Sequence, residues 1–486
     1  MPKSPITTLA RRLQWKDVYC ETELYKAALR IYTKPLFQWR KALGSSTDGK
    51  TLYEFASHGL GRLDAIHRSL KLGAFEFRPA VALHYNFNGK HRTLYVPPWE
   101  ERVVDLLLYR VLNRRIDNWF SRNSYAYRDH SHGLDDCQNR IAKLLRSAKR
   151  PLYLVKRDIS DYFASVNHEV LLTALQSLVD PADYLYGLLV RRVRFSYEEL
   201  GRQQTATIGI PFGTAIACFL ANVYLTDLDR DLEQIPLLHY FRYADDILLL
   251  SASREAALQA ARCVEHSLAG LHLKSKASHQ ADLLLASDPV SDATFTAVRG
   301  FRHLGLLFRT DGSVALSCDK VRKIQNLFRF ALRRKRRSWN RLLNPFARTQ
   351  ALVDIASATI HKPVRNVAIL DYYLKHVDDE KQLRLLDRWL AEEVLSKVFG
   401  GHKKGHFRKL SFEQLRAMGL PSLLHRRRMI CRGLIESTFF VWQGEKAARA
   451  LRGTVARLCR SAGEAAFSPF PKAAAIKSPV REGGCL

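Results

Sequence analysis

Between Phe241 and Leu250 the chain reads Phe-Arg-Tyr-Ala-Asp-Asp-Ile-Leu-Leu-Leu, two short apolar runs with adjacent carboxylates between them. Apolar runs of this length broken by turn-forming acids predict a β-hairpin with Asp245 and Asp246 at its tip. A second strand is expected at Tyr153-Leu154-Val155-Lys156-Arg157, and it too ends on an acid, Asp158. If the two lie in one sheet, Asp158 and Asp245 meet at one edge. Carboxylates held that close repel each other unless a divalent cation lies between them, and Mg²⁺ bound by one or two carboxylates plus substrate phosphates is the common arrangement. Two such ions about 3.5–4 Å apart would activate an attacking hydroxyl and stabilise a leaving pyrophosphate, which is the chemistry of nucleotidyl transfer. Each acid also has a plainer reading, since Asp-Asp suits a hairpin turn and Asp158 suits the cap of a following helix. What lies between them decides against the plainer one.

Charge points the same way. Lys and Arg number 77 against 47 Asp and Glu in 486 residues, a formal net charge of +30. A folded chain with this imbalance repels itself unless a polyanion neutralises it, so nucleic acid is the expected partner. No apolar stretch reaches the roughly 20 residues needed to span a bilayer, and a membrane protein is not expected. The first 29 residues lack the pattern of a secretory signal, which predicts a cytoplasmic protein. Eight cysteines without a Cys-x-x-Cys pair argue against a zinc ribbon or a disulfide framework.

The periodicity divides the chain into four expected parts. Residues 1–80 mix amphipathic helical stretches such as Thr22–Leu43 with polar loops. In residues 81–310, a hairpin is expected from Val81–Phe87 and Arg92–Val96 around Asn88-Gly89, with Pro97-Pro98 ending it. Val103, Val104, Leu107, Leu108, Val111 and Leu112 then fall on helical spacing, and beyond residue 150 short apolar strands alternate with helices. Residues 311–435 read as almost wholly helical and basic. Residues 436–486 read as a helix and a loose tail, with Ser468–Leu486 rich in Pro, Ala, Gly and Ser.

Taken in order, Asp158–Phe163, Gly209-Ile210-Pro211-Phe212-Gly213 running into Leu220-Ala221-Asn222-Val223-Tyr224-Leu225, and Tyr243-Ala244-Asp245-Asp246 resemble the successive palm motifs of bacterial reverse transcriptases. Arg302-His303-Leu304-Gly305-Leu306 resembles the primer grip of that family. Arg92–Pro97 with Glu101–Val104, and Ser124–Arg128 with Gly133, resemble its two fingers motifs. The resemblance implies an α+β fold: right-hand fingers and palm with an antiparallel sheet, then an α-helical thumb and a C-terminal helical extension. It implies an RNA-directed DNA polymerase with two Mg²⁺ ions, or Mn²⁺ in their place, on Asp158, Asp245 and Asp246. Phe163 falls at the steric-gate position, which implies a preference for deoxynucleotides. Lys90 and Arg92 would hold the triphosphate by charge-assisted hydrogen bonds. Gly209 and Pro211 would shape the loop beside the templating pair, and Arg128 would contact nucleic acid. The chain departs from the family at Phe212, where Gln is frequent, and at Ala217, where Ser is frequent. It departs again at Ala277, where a proton-donating Lys is expected and only Lys274 and Lys276 lie nearby.

Residues 321–350 hold ten Lys or Arg and no acid, including Arg333-Arg334-Lys335-Arg336-Arg337. With no acid to pair along the helix, these cations are expected to face phosphates as part of the thumb. A second basic cluster, Arg426-Arg427-Arg428, follows the turn at Gly419-Leu420-Pro421. Among reverse transcriptases the chain looks most like the stand-alone enzymes of anti-phage defence. That implies a noncoding RNA template, a DNA product and deoxynucleoside triphosphates as partners, with room for a second copy or a protein partner. The other readings are an enzyme of a mobile or diversity-generating retroelement, an untemplated DNA polymerase, and a non-catalytic RNA-binding scaffold.

Overall fold

The computed structural model describes residues 11–33, 46–87, 90–128, 132–148, 151–277, 280–286, 292–361 and 365–434. The expected turn at Asn88-Gly89, the second half of the Thr22–Leu43 helix and the expected tail lie outside these residues. Helices α1 (Glu21–Thr33) and α2 (Gly59–Lys71) precede the hairpin of β1 (Ala80–Phe87) and β2 (Lys90–Val96). Helix α3 (Trp99–Arg115) starts at the Pro97-Pro98 stop and buries the six apolar residues whose spacing predicted it. Next come α4 (Leu134–Ser147), β3 (Leu152–Asp158), α5 (His168–Leu178) and α6 (Tyr184–Val193). The short strands β4 (Ser196–Glu199) and β5 (Arg202–Thr205) lead to α7 (Ala215–Tyr224) and α8 (Thr226–Glu233). The expected acidic hairpin forms as β6 (Leu238–Tyr243) and β7 (Asp246–Ser251), followed by α9 (Arg254–Gly270), β8 (Ala281–Leu285) and β9 (Thr296–Val298). A small meander, β10 (Gly300–His303), β11 (Leu306–Arg309) and β12 (Val314–Leu316), then gives way to helices. These are α10 (Cys318–Arg334), α11 (Arg336–Asn340), α12 (Pro345–His361), α13 (Arg365–His376), α14 (Glu380–Phe399) and α15 (Leu423–Cys431). The fold is mixed α and β.

The central sheet has the order β6-β7-β3-β8-β9, antiparallel except for the parallel β8–β9 pair. It is covered on both faces. Val155, Ile247 and Leu249 enter a core shared with α1, α2, α3, α5, α6, α7, α8 and α9, whereas Leu152, Leu154, Leu248 and Leu250 enter a second core with α4 and the C-terminal helices. Side chains alternate along a strand, so a strand buried on both faces needs an unbroken apolar run, which is what Ile247–Leu250 supplies. The first core also takes Leu24, Ala27 and Leu70, so residues before 80 pack as part of the same body as the sheet.

A second sheet, β2-β1-β4-β5, stands beside the first. Past residue 311 the described elements are helices apart from β12. Strand β12 pairs with β11 across the expected 310/311 junction. It is bound to the helical half by Val314 N donating to Asp378 Oδ1 at 2.6 Å and Leu316 N to Gln382 Oε1 at 2.7 Å. Among the described residues no helix is long and apolar enough to cross a membrane.

Candidate active site

Register puts the acids together. In the β3–β7 pairing Asp158 lies opposite Asp246, and Asp245 stands one residue earlier in the turn that joins β6 to β7. That turn is tight enough to force Ala244 to φ +58°, a left-handed conformation that costs a non-glycine residue roughly 1–2 kcal/mol. Ile159 N donates to Asp245 O at 3.2 Å, which fastens the turn to the end of β3. The three carboxyls then divide. Burial, and after it the charge of Asp158, push the Asp245 carboxyl up to about 6. Burial pushes Asp246 up too, but the His303 ring and then Lys156 outweigh it and hold its carboxyl below the ordinary range. His303 Nδ1 lies 3.4 Å and Lys156 Nζ 3.7 Å from the same oxygen, Asp246 Oδ1. His303, at the end of β10, is buried, and Lys156 also donates to Arg302 O at 3.4 Å. The expected primer-grip hairpin therefore abuts the strand that carries Asp246. Neither Lys156 nor His303 was singled out for this role by the sequence, because nothing in local spacing ties them to an acid.

Among the described residues no group of three or more His, Cys, Asp and Glu is gathered to hold an ion by itself. The acids come instead as one facing pair, Asp158 and Asp245. Such a pair fits Mg²⁺, which keeps waters and substrate phosphates among its ligands. The raised Asp245 carboxyl is the observation that supports the fit, since a cation offsets both the burial and the neighbouring Asp158 charge that raise it.

Beside the acids lies a cluster of three rings. Phe163 sits in the turn of helix that follows Asp161; its ring centroid is 5.0 Å from Phe212 and 6.2 Å from Tyr127, both edge-on. Gly209 has φ +83°, and a Cβ there would stand 3.0 Å from Ala164 O and 3.2 Å from Phe163 O. Only glycine lets this loop lie against the Phe163 turn, where Ile210 N donates to Phe163 O at 2.8 Å. Pro211 O accepts from the Thr214 hydroxyl at 2.9 Å, which turns the chain into the capped start of α7. The first fingers strand closes on this loop, with Tyr95 N donating to Phe212 O at 2.8 Å and the Arg92 guanidinium 5.7 Å from the Phe212 ring centroid. Lys90 begins β2, and its side chain lies outside the described residues. Phe163, Gly209, Pro211 and Arg92 are thus brought together, and Tyr127, a residue the sequence did not single out for this site, joins them at φ +61°.

Residues 86–288 match the family model described as reverse transcriptase (RNA-dependent DNA polymerase). They form a reverse transcriptase domain. Protein YkfC of Escherichia coli is 22% identical over 236 residues, which cover 41% of this chain and 61% of that protein. The group II intron-encoded protein LtrA of Lactococcus lactis is 22% identical over 233 residues, 48% of this chain and 36% of that one. The putative COX1/OXI3 intron 2 protein of Saccharomyces cerevisiae is 22% identical over 192 residues, 39% of this chain and 22% of that one. The chain thus spans between about a fifth and three fifths of the curated relatives it matches. A solved telomerase from Candida albicans, in complex with a fragment of telomeric RNA, overlays with a TM-score of 0.40 at 10% identity, covering 81% of this chain and 70% of that one.

The basic residues expected to touch nucleic acid separate into two groups. Arg128, within the reverse transcriptase domain, is buried: Nε donates to Asp117 Oδ1 and Nη2 to Asp117 O, both at 2.8 Å, and Nη1 reaches Ser124 O at 3.0 Å. Arg426 is buried in a forked pair with Asp371 at 2.6 and 2.9 Å. Arg427 donates to Val377 O, and Arg428 meets Glu380 at 2.7 Å. Arg128 and Arg426 are engaged inside the protein, contrary to the expectation for them, because Asp117 and Asp371 reach them from sequence positions that no local reading connects; Arg427 is half-buried, and Arg428 with its Glu380 partner lies at the exposed surface. Arg333, Arg334, Lys335, Arg336 and Arg337 are the opposite case. All five are exposed, and no acid among the described residues pairs with them.

Proposed function

We propose that this chain copies RNA into DNA at the Asp158–Asp245 pair, extending a primer hydroxyl with deoxynucleoside triphosphates. The observation that carries the reading is two neighbouring carboxyls, one raised to about 6 by burial and by the charge of the other, beside the cluster of Phe163, Phe212 and Arg92. Bound Mg²⁺, held on Asp158 and Asp245 with Asp246 in support, would supply activation of the attacking hydroxyl and neutralisation of the pyrophosphate, as in two-metal sites generally. The protein's own residues do the rest. Phe163, braced edge-on by Phe212 and Tyr127, packs against the sugar and leaves no room for a 2′-hydroxyl. Arg92, with Lys90 at the head of the same strand, donates to the triphosphate. In this reading residues 81–310 are fingers and palm, 1–80 an extension packed into them, and 311–435 a thumb whose Arg333–Arg337 run faces the template–primer phosphates. The setting we infer, copying of a noncoding RNA in cytoplasmic defence against bacteriophage, rests on the resemblance to stand-alone bacterial enzymes.

The test is primer extension on RNA with Mg²⁺ and deoxynucleotides, run beside Asp245→Ala/Asp246→Ala, with sequencing of the nucleic acid that copurifies. The wild type alone is expected to make DNA, and DNA complementary to one copurified RNA would identify the template. RNA bound equally by both proteins, with DNA from neither, would leave a binding scaffold. DNA made without regard to the template would show untemplated addition.

A further inference from the structure

Beneath the acidic turn lies a guanidinium with no access to solvent. Arg242 and Asp229 are both 0% exposed. Arg242 Nε donates to Asp229 Oδ1 at 2.7 Å and Nη2 to Oδ2 at 2.6 Å, a two-pronged pair in which Tyr240 also bonds Asp229. Nη1 points elsewhere. It donates to the carbonyl of Ala244 at 3.2 Å and to Asn222 Oδ1 at 3.3 Å. Asn222, equally buried, passes the connection on, its Nδ2 donating to Ala126 O at 2.8 Å. The backbone of Arg242 grips the same segment, its N–H donating to Asn123 O and its carbonyl accepting from Tyr125 N, both at 2.8 Å.

A buried ion pair is a poor way to gain stability, because apolar side chains of similar volume often serve as well or better. An apolar side chain has no donor for Ala244 O, however. That carbonyl belongs to the left-handed residue directly before Asp245, and rotating the peptide between them would swing the Asp245 carboxyl away from Asp158. Ala126 likewise directly precedes Tyr127, the left-handed residue whose ring meets Phe163.

We propose that Arg242 is a positioning residue: fixed by Asp229 and relayed by Asn222, it sets the backbone that aims Asp245 at Asp158 and Tyr127 at Phe163. The proposal rests on the polymerase reading above. It assigns one task to three polar residues on α7, α8 and β6 that touch neither metal nor nucleotide.

The experiment compares the full chain with Arg242→Lys, which keeps the charge but cannot fork. It also uses Asp229→Asn/Arg242→Gln, which replaces the ion pair by neutral amides, and Asn222→Ala, which leaves the pair intact. Folding is checked by circular dichroism and thermal melting, Mn²⁺ binding by electron paramagnetic resonance, and single-nucleotide addition by kcat and KM. Outer-sphere partners commonly govern about 10–100-fold in metal affinity or activity. Arg242→Lys and the double variant are therefore expected to bind Mn²⁺ about tenfold more weakly and to lose about thirtyfold in kcat with KM nearly unchanged, and folded Asn222→Ala about fivefold in kcat. Folded variants that match the wild type in both Mn²⁺ binding and kcat would overturn the proposal, and so would a loss confined to KM. If Arg242→Lys and the double variant fail to fold, Asn222→Ala decides by the same two readouts. A wild type that adds no nucleotide would sink the polymerase reading separately. The Mn²⁺ arm would still decide for Arg242, a weaker affinity in the folded variants upholding it and an equal or undetectable one overturning it.

Discussion

Burial, and after it the charge of Asp158, disfavour an ionised Asp245, and the fold bears that cost. The Asp245 carboxyl titrates near 6 in the folded chain, against an ordinary value of 3.8. The folded state therefore binds more protons than the unfolded state between these values, and stability falls as pH rises from about 4 to about 6. Above that window the penalty is fully present. A rise from 3.8 to about 6 corresponds to about 3 kcal/mol, at about 1.4 kcal/mol for each tenfold change in proton affinity. We expect Asp245→Asn, in metal-free buffer, to be more stable than the wild type by that amount at pH 7.5, with the difference vanishing near pH 4. Denaturant melts at the two pH values would read this directly, and equal stability at pH 7.5 would show that neither burial nor the Asp158 charge disfavours ionised Asp245. Asp158 and Asp245 were legible in the sequence because each ends or turns a strand. The opposite fate of Asp246 was not, since His303 and Lys156 approach it from another hairpin and from the neighbouring strand.

At the scale of elements, the loop through Gly209 shows how a local pattern becomes a brace for the Phe163 turn. Gly209 is clamped at both ends of its peptide unit, its N–H donating to Val166 O at 2.8 Å and its carbonyl accepting from His168 Nε2 at 2.6 Å. With φ +83° and backbone oxygens at 3.0 and 3.2 Å from any Cβ, it has no room to yield. Gly209→Ala should destabilise the chain by about 1–3 kcal/mol, the usual cost of a strained backbone position, and displace the Phe163 turn. Thermal melting checks the first effect and the KM for a deoxynucleotide the second; a variant with an unchanged melt and KM would show the loop to be slack. The elements that could be read in advance were those with strong periodicity or sharp punctuation: β1 and β2, α3, β3, and the β6–β7 hairpin. Strands β4 and β5 escaped because Ser-Tyr-Glu-Glu and Arg-Gln-Gln-Thr are polar and largely exposed, and such strands carry no apolar alternation. Strand β12 escaped for a different reason. It is three residues long, and its partners, β11 and the side chains of Asp378 and Gln382, are set by tertiary contact.

Across the whole molecule, a net charge of +30 says that a polyanion is wanted but not where it lies. Burial resolves the question that composition leaves open. Arg128, Arg242 and Arg426 are cations turned into internal fasteners by acids more than ten residues away, and removing them should cost stability before it costs binding. The run Arg333–Arg337 stays in solvent at the end of α10 and the start of α11, where α10 is anchored by Ile324, Phe328 and Leu332 and leaves its other faces free. Cations so placed bind phosphates through counterion release, which makes affinity fall with salt by about 0.9 logarithmic units per tenfold in salt for each duplex phosphate neutralised. Changing Arg333, Arg334 and Arg337 to Gln should therefore flatten the slope of log Kd against log salt by about 2–3 on an RNA–DNA hybrid, while the melting temperature stays near that of the wild type. Binding titrations between 50 and 200 mM salt, roughly the span over which such contacts are resolved, provide the measurement. A slope unchanged by the triple substitution would mean that the duplex lies on another face, and the thumb assignment of this helix would fall with it.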